Sequence, residues 1–270
     1  MPHLSFVGLS ESWLLKQCGD LHWSLLAERM GFGSSDFRDA SGRRLYAAFV
    51  AIQVDECALA EISEDDRLDI ASEISRISRT QYQSRHVLTQ SSRPCGRVSM
   101  VSVFVRRTVE GSNRAIERGP IGHEGETIAI SPDSASGLAG DAKKLRADDW
   151  WHMGFSASQP DDLAIYEFKP CRYSDFNGAK FLYFASFQSI VDRAESAWWP
   201  QAFPLFLTCR RDLFYHSNID LGDTITVRMK GCRKLGLLRT HWTELRRSVD
   251  NARIADVFTT KIALNAAQRD

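Results

Sequence analysis

The sequence predicts an α+β fold built from two similar halves, in each of which a long helix precedes a series of antiparallel strands. In each half, apolar residues recur first at helical spacing and then in the shorter, partly alternating runs that are typical of strands. A turn motif also recurs, because residues 62–70 and 219–227 share the pattern apolar-x-x-x-Asp-x-apolar-x-apolar. These observations indicate an internal duplication. Two unrelated β-rich halves are the alternative.

The composition is that of an ordinary globular protein, with 43% hydrophobic and 25% charged residues in a chain of 270. The 34 Lys and Arg residues balance 34 Asp and Glu residues, which argues against a nucleic-acid-binding protein because such proteins usually carry a basic excess. The chain has neither an apolar run of about 18 residues nor the pattern of a secretory signal, so we expect a cytoplasmic protein without a membrane span. Its six widely spaced cysteines form no C-x-x-C pair, which favours free thiols and no metal site.

The first half begins with a predicted helix over residues 8–31. Ser10, or the serine two residues later, can cap this helix, Glu11 suits its first turn, and Gly31 is placed like a C-terminal stop. Gly19 interrupts the helical pattern, and it predicts close packing against another element. The predicted strands of this half cover residues 45–54, 57–62, 68–70 and 98–109, and residues 71–90 are ambiguous between helix and strand.

Residues 113–164 form a predicted glycine-rich linker region between a first repeat, 1–112, and a second repeat, 165–270. One short strand is predicted at 127–130. The cluster Trp150-Trp151-His152-Met153 is too apolar for a free linker, so we expect it to dock onto a domain. The basic run at 143–146 is typical of a solvated loop, and its alternative role is contact with the phosphates of CoA or with an acidic carrier protein.

The second half contains a polar turn, residues 173–180, directly before a predicted helix at 181–197. A helix N-terminus presents unpaired N–H groups and a partial positive charge, and it can therefore stabilise an oxyanion. The predicted strands of this half cover residues 165–171, 205–215, 224–229, 237–245 and 254–264.

A helix wrapped by an antiparallel sheet is the hot-dog plan, and two copies in one chain predict a double hot dog. Residues 172–184, Arg-Tyr-Ser-Asp-Phe-Asn-Gly-Ala-Lys-Phe-Leu-Tyr-Phe, resemble the start of the helix in 4-hydroxybenzoyl-CoA-type thioesterases. Residues 212–223 resemble the strand and Gly-Asp turn of hot-dog proteins generally. The resemblance implies that Asp175 acts as nucleophile or general base. The alternatives are that Asp175 orients a water molecule, holds the amide of the substrate or caps the helix.

The first half resembles a narrower family, the bifunctional acyltransferase/decarboxylases of polyketide biosynthesis known from leinamycin. The similar stretches are residues 8–16, 19–23 and 38–49. The resemblance implies a double hot dog that takes methylmalonyl-CoA, loads the acyl group onto an acyl carrier protein and decarboxylates it to propionyl. It also implies a tyrosine nucleophile, which matches Tyr46 by motif position.

Tyr46 needs help to act as a nucleophile, because an unperturbed phenol has a pKa of about 10. Arg44 shares a face with it on an extended strand, and a nearby cation lowers such a pKa. A tyrosine that only packs its ring is the alternative. His22, on the first predicted helix, is expected to be a packed residue. The predicted catalytic residues are Tyr46, Asp175 and Asn177, and the predicted substrate-binding residues are Ser10, Glu11, Arg44 and Gly178.

The sequence thus predicts an acyltransferase/decarboxylase that converts methylmalonyl-CoA or malonyl-CoA, through an acyl-tyrosine, into a decarboxylated acyl group on an acyl carrier protein. The alternatives are a hot-dog thioesterase or dehydratase that uses Asp175, and a non-catalytic module that binds an acyl carrier. The CoA thioester is a substrate, and no cofactor is expected. The expected partner is the carrier protein, with no nucleic acid and no membrane, and the pseudo-dimer can itself form a homodimer.

Overall fold

The computed structural model describes residues 3–78, 80–122, 128–130, 137–147, 149–158, 161–200 and 206–263. Its helices are α1 (Glu11–Arg29), α2 (Leu138–Lys144) and α3 (Phe184–Trp198), and a 3-10 turn spans Leu59–Glu61. Its strands are β1 (Tyr46–Asp55), β2 (Leu68–Ser78), β3 (Gln81–Gln90), β4 (Arg93–Arg107), β5 (Ile116–Arg118), β6 (Trp151–His152), β7 (Phe155–Ser156), β8 (Ala164–Phe168), β9 (Phe206–Tyr215), β10 (Ile225–Leu235), β11 (Leu238–Arg247) and β12 (Arg253–Ala263).

One antiparallel sheet joins both halves of the chain, in the order β2-β3-β4-β1-β9-β12-β11-β10-β8, with β5 paired to β4. The halves meet where β1 pairs with β9, and this pairing covers only Ala51–Val54 of β1. Read outward from this junction, the strands that follow α1 run β1-β4-β3-β2, and those that follow α3 run β9-β12-β11-β10. The two halves therefore have the same strand order.

The recurrent turn motif has the same local structure in both halves. The carboxylate of Asp66 accepts the backbone N–H of Ser63 at 2.6 Å, and that of Asp223 accepts the backbone N–H of Asp220 at 2.9 Å. In each case the next strand begins two residues later, at Leu68 in β2 and at Ile225 in β10. The aspartate thus closes the turn that leads into an equivalent strand.

The helices α1 and α3 contact each other and pack on one face of the sheet, α1 on β2 and β4, α3 on β8 and β12. Ser10 is the N-cap of α1, since its hydroxyl accepts the backbone N–H of Trp13 at 3.3 Å. Gly31 follows the helix with φ +71°, as its predicted stop position requires. A Cβ on Gly19 would lie 2.5 Å from Cζ of Phe184 in α3, which confirms the predicted close packing.

The opposite face of the sheet carries the middle region of the chain. Successive side chains of a strand point to opposite faces of the sheet. Ile52 and Leu213 therefore pack against α1 and α3, whereas Ala51 and Phe214 belong to a second hydrophobic core, on the face covered by α2. Trp150 is buried and contacts the Trp242 ring edge-on at 4.9 Å, which confirms that its cluster docks. Among the described helices, none is long and apolar enough to cross a membrane.

Three predicted elements differ from the structure. Residues 57–62 are not a strand, because the chain leaves the sheet at Glu56, where φ is +53°, and Leu59 and Ile62 turn into the core. The ambiguous stretch 71–90 belongs to two paired strands, β2 and β3. Of the strand predicted at 127–130, residue 127 lies outside the described residues, and Ile130 forms a single bridge with Arg76.

The helix α3 begins at Phe184 rather than at residue 181, and its N-cap Tyr183 makes no side-chain capping bond. The polar turn at 173–180 therefore precedes the helix and does not cap it. Lys180, with φ +63°, redirects the chain there. The alternative role of Asp175 as a helix cap is wrong for this reason.

A candidate active site where the two halves part

A cavity of about 540 Å³ opens where β1 and β9 separate, upstream of Ala51. Its lining includes a group of aromatic residues, the aromatic wall, and a group of polar residues, the polar wall. The aromatic wall contains Trp23, Phe49, Phe184 and Phe187. The polar wall contains Tyr46, Asn177, His216, Ser217 and Asn218. An apolar pocket with a few convergent polar groups is the usual form of a small-molecule site.

The aromatic wall is built by contacts between the two halves. The ring centroids of Trp23 and Phe49 lie 5.6 Å apart, and those of Phe49 and Phe184 lie 4.7 Å apart. The indole N–H of Trp23 donates to the backbone oxygen of Ala47 at 3.0 Å, so the polar atom of this side chain is satisfied. The wall therefore offers an apolar surface suited to a hydrocarbon chain.

Asn177 organises the loop before α3. Its side-chain oxygen accepts the backbone N–H groups of Ala179 and Phe181, both at 3.0 Å. These bonds fix the orientation of the amide, and within the described residues its nitrogen Nδ2 has no acceptor. Because Asn177 also lines the cavity, its NH₂ group is available to a carbonyl oxygen bound there.

Tyr46 lies between two cations. The guanidinium carbons of Arg44 and Arg107 are 5.6 and 5.4 Å from the centre of its ring, and the ring of Phe181 contacts it edge-on at 5.3 Å. Arg107 is itself held by the side-chain oxygen of Asn113, at 2.6 Å from Nη2. The Tyr46 hydroxyl has no hydrogen-bond partner in the described part of the chain.

His216, which follows β9 directly, was not among the predicted site residues. Its Nε2 lies 2.6 Å from Oδ2 of Asp256, a fully buried carboxylate on β12. Asp256 also accepts the indole N–H of Trp242 at 2.9 Å and Nε–H of Arg253 at 2.7 Å. Burial alone would raise the pKa of Asp256, but the His216 hydrogen bond and the Arg253 charge outweigh it and hold the pKa below its usual value.

No protein-family model matches the sequence, and no curated protein matches it. Solved structures do match in fold. The 12:0-ACP thioesterase of Umbellularia californica has a TM-score of 0.67 at 10% identity, over 98% of this chain and 94% of that chain. An acyl-ACP thioesterase of Bacteroides thetaiotaomicron has a TM-score of 0.60 at 12% identity, over 96% and 93%. A Lactobacillus plantarum protein described as an oleoyl thioesterase has a TM-score of 0.65 at 11% identity, over 97% and 92%.

The chain has a hot-dog-type fold. At these identities the likeness concerns the fold and carries no residue roles across. The predicted fold class is thus confirmed at this level. The similar structures are named as thioesterases, and the acyltransferase/decarboxylase family predicted from the sequence is not confirmed.

Three predicted site residues line the hot-dog cavity: Tyr46, Asn177 and Arg44. Asp175 does not line it, because its carboxylate accepts the backbone N–H of Cys171 at 2.7 Å and holds the loop instead. Asp175 also receives the N–H of Tyr183 on its backbone oxygen at 2.8 Å. Asp175 therefore stabilises the loop that carries Asn177 and does not itself contact the cavity.

The other predicted substrate-binding residues lie elsewhere. Ser10 caps α1, and Gly178 is exposed on the loop without lining the cavity. Glu11 forms a buried ion pair with Nε of Arg211 at 2.8 Å. Arg211, wholly buried, also binds Asp192 at 2.8 Å. This ionic cluster occupies Glu11 completely, which explains why it does not face the cavity.

The opening of the cavity is basic. Its exposed lining residues include Arg44, Arg118 and Arg146 against a single carboxylate, that of Glu117, which is paired with Arg106 at 2.5 Å. Arg146 belongs to the basic run noted in the sequence, and it reaches the cavity while the two lysines of that run do not line it. Such an opening favours ligands with negative charge outside the apolar part.

Proposed function

We propose that the protein hydrolyses acyl thioesters carried by an acyl carrier protein or by CoA. The observation that carries this proposal is the cavity between the halves, whose lining combines the aromatic wall, the polar wall and three exposed arginines. An acyl chain suits the aromatic wall, and a thioester carbonyl suits the polar wall. The exposed arginines suit the phosphate of a pantetheine arm. The names of the similarly folded thioesterases support the same substrate class.

The carbonyl oxygen binds the free NH₂ group of Asn177 in this proposal. The first backbone N–H groups of α3, those of Phe184 and Ala185, have no acceptor among the described residues, and Phe184 lines the cavity. Donors fixed before the reaction stabilise the oxyanion that develops as the carbonyl is attacked. Water, the thioester and side chains suffice for hydrolysis, so the proposal invokes no cofactor.

We propose further that the chain is a double hot dog, a fused duplicate of one unit. The equal strand order of the two halves and the equivalent turns at Asp66 and Asp223 support this interpretation. The active site then lies at the junction of the units, as the cavity does. Among the described residues that line the cavity, Asn177 supplies an amide nitrogen that has no acceptor.

The test is incubation of the purified protein with dodecanoyl-CoA and with a dodecanoyl acyl carrier protein. We expect free dodecanoic acid by mass spectrometry and an equal amount of free thiol. Asn177→Ala should lower kcat about 100-fold, as loss of one oxyanion donor does. Absence of free acid from short, medium and long acyl chains would contradict the proposal. Binding of the carrier without any turnover would instead support a non-catalytic module.

A second candidate is the acyltransferase/decarboxylase, and the observation that favours it is the position of Tyr46. Its ring lines the cavity beside the guanidinium groups of Arg44 and Arg107, and a tyrosine there can meet the carbonyl carbon of a bound thioester. Methylmalonyl-CoA with a carrier protein should then give a propionyl carrier, and Tyr46→Phe should abolish it. Hydrolysis by the thioesterase route should change less than about threefold in the same variant, which separates the two candidates.

A further inference from the structure

We infer that His216 is the general base of the hydrolysis and that Asp256 is its positioning residue. The inference rests on the proposed thioesterase function and deepens it. A base must come from a residue other than Asp175, because the carboxylate of that residue is bonded to the chain behind the cavity. Of the histidines in the described part of the chain, only His216 lines the cavity.

The hydrogen bonds around Asp256 decide which nitrogen of His216 carries the proton. Three donors converge on the carboxylate, from His216, Trp242 and Arg253, so it stays ionised and can only accept. In neutral His216 the proton therefore lies on Nε2, which donates to Asp256. The other nitrogen, Nδ1, keeps its lone pair, and it has no partner among the described residues. This is the arrangement that a general base requires.

Among the described residues, the charged side chains bonded to His216 or close to it include one anion and two cations. Asp256 and Arg253 approach from β12, and Arg146 approaches from the segment after α2, where it donates to the backbone oxygen of Tyr215 at 3.1 Å. The backbone N–H of His216 is bonded to Ile254 at 2.9 Å, so the residue is fixed on the sheet. The ring is thus held between its carboxylate and the cavity with little freedom.

The reaction balances without any further group. Nδ1 of His216 takes a proton from a water molecule as the water oxygen bonds to the thioester carbonyl carbon. The carbonyl electrons move onto the oxygen, which the donors at Asn177 and α3 stabilise. The tetrahedral intermediate then collapses, the C–S bond breaks, and the leaving thiolate takes the proton from His216. The products are a carboxylic acid and a thiol.

The experiment compares two histidine variants of the full chain on dodecanoyl-CoA. His216→Gln places an amide nitrogen near Nε2, so it keeps a donor toward Asp256 while removing the base. His152→Gln is the matched control, because His152 also bonds a buried aspartate, Asp212, at 2.8 Å but does not line the cavity. We expect H216Q to lower kcat at least about 100-fold with KM nearly unchanged, and H152Q to stay within about threefold of the wild type.

The possible results distinguish a failure of the His216 role from a failure of the proposed thioesterase function. Inactive wild-type protein would refute the proposed function. Active wild type with an H216Q variant within threefold of it would overturn the inference and leave the function standing. Should H216Q melt well below H152Q, His216→Ala is assayed with added imidazole: recovery of rate supports a base at this position, and no recovery overturns it. A pH–rate profile of the wild type should show a single ascending limb that D256N displaces.

Discussion

Two His–Asp pairs lie side by side on one face of the sheet. Asp212 and Asp256 occupy neighbouring strands, β9 and β12, where each pairs across the ladder with a phenylalanine, Asp212 with Phe258 and Asp256 with Phe214. Both carboxylates are fully buried, and each accepts a histidine Nε2 and an arginine. In hydrogen bonding, the two pairs are nearly identical.

The difference lies in what surrounds the histidine. His152 comes from the docked middle region, its ring centroid lies 5.2 Å from that of Phe214 and 4.7 Å from that of Phe258, and its Nδ1 is 3.9 Å from Asp141. His216 directly follows β9 and lines the cavity, and its Nδ1 has no partner among the described residues. The same pair of residues therefore fastens a loop in one place and offers a base in the other. What distinguishes the two His–Asp pairs is whether the histidine can be reached from the cavity.

The largest expected effect comes from neutralising each aspartate in turn. Asp256→Asn and Asp212→Asn should both lower the free energy of unfolding by about 1–3 kcal/mol, since each weakens the hydrogen bonds that a fully buried carboxylate accepts from a histidine and a partly buried arginine. Only D256N should also lower kcat, by about 100-fold, because the tautomer and orientation of His216 depend on it. Denaturant titration measures the free energy of unfolding, and steady-state kinetics measures kcat. An equal loss of kcat in D212N would erase the distinction between the pairs.

Some features of the fold and of the candidate site were predictable from the sequence, and others were not. The bounds of α1 follow from Ser10 and Gly31, Asn177 was predicted from the polar turn before the second helix, and Tyr46 was predicted from the family resemblance. The partner of Glu11 is Arg211, 200 residues along the chain, and nothing near Glu11 indicates it. His216 was missed for the same reason, because Asp256 reaches it only through the β9–β12 pairing.

Two further buried histidines, His22 and His86, differ from His152 and His216 because they are bonded to serine hydroxyls rather than to carboxylates. His22 lies 2.7 Å from Oγ of Ser84 and 2.8 Å from Oγ of Ser102, and His86 lies 2.8 Å from Oγ of Ser84. Burial lowers the pKa of His22 to about 3, with a smaller contribution from His86, and burial lowers the pKa of His86 to about 4. Both are therefore neutral in the folded protein at neutral pH.

The unfolded chain binds protons at these histidines from about pH 6.5 downward, whereas the folded protein does not until about pH 4 to 3. Stability is thus highest above pH 6.5 and is lost as the pH falls. We expect each histidine to remove about 2 kcal/mol of unfolding free energy between pH 6.5 and 4.5. Denaturant unfolding at several pH values measures the slope, and His22→Phe should reduce it. An unchanged slope in this variant would contradict the assignment.

The smallest expected effect concerns the aromatic wall. Gly19→Ala places a Cβ against Phe184, which must shift toward the cavity that it lines. Overpacking of about 1–3 kcal/mol is partly offset by the better helix propensity of alanine, about 1 kcal/mol. KM for the dodecanoyl thioester should rise about threefold, with little change for an acetyl thioester. Glu28→Ala, on the exposed face of α1, is the control, and equal KM changes for both chain lengths would contradict this role of the wall.

The most direct test is a crystal structure with a dodecanoyl-CoA analogue in which a methylene group replaces the thioester sulfur. We expect the alkyl chain against Phe184 and Phe187, the carbonyl oxygen within hydrogen-bond distance of Nδ2 of Asn177, and a water between the carbonyl carbon and Nδ1 of His216. A carbonyl bound away from Asn177, or a chain that leaves the cavity empty, would contradict it.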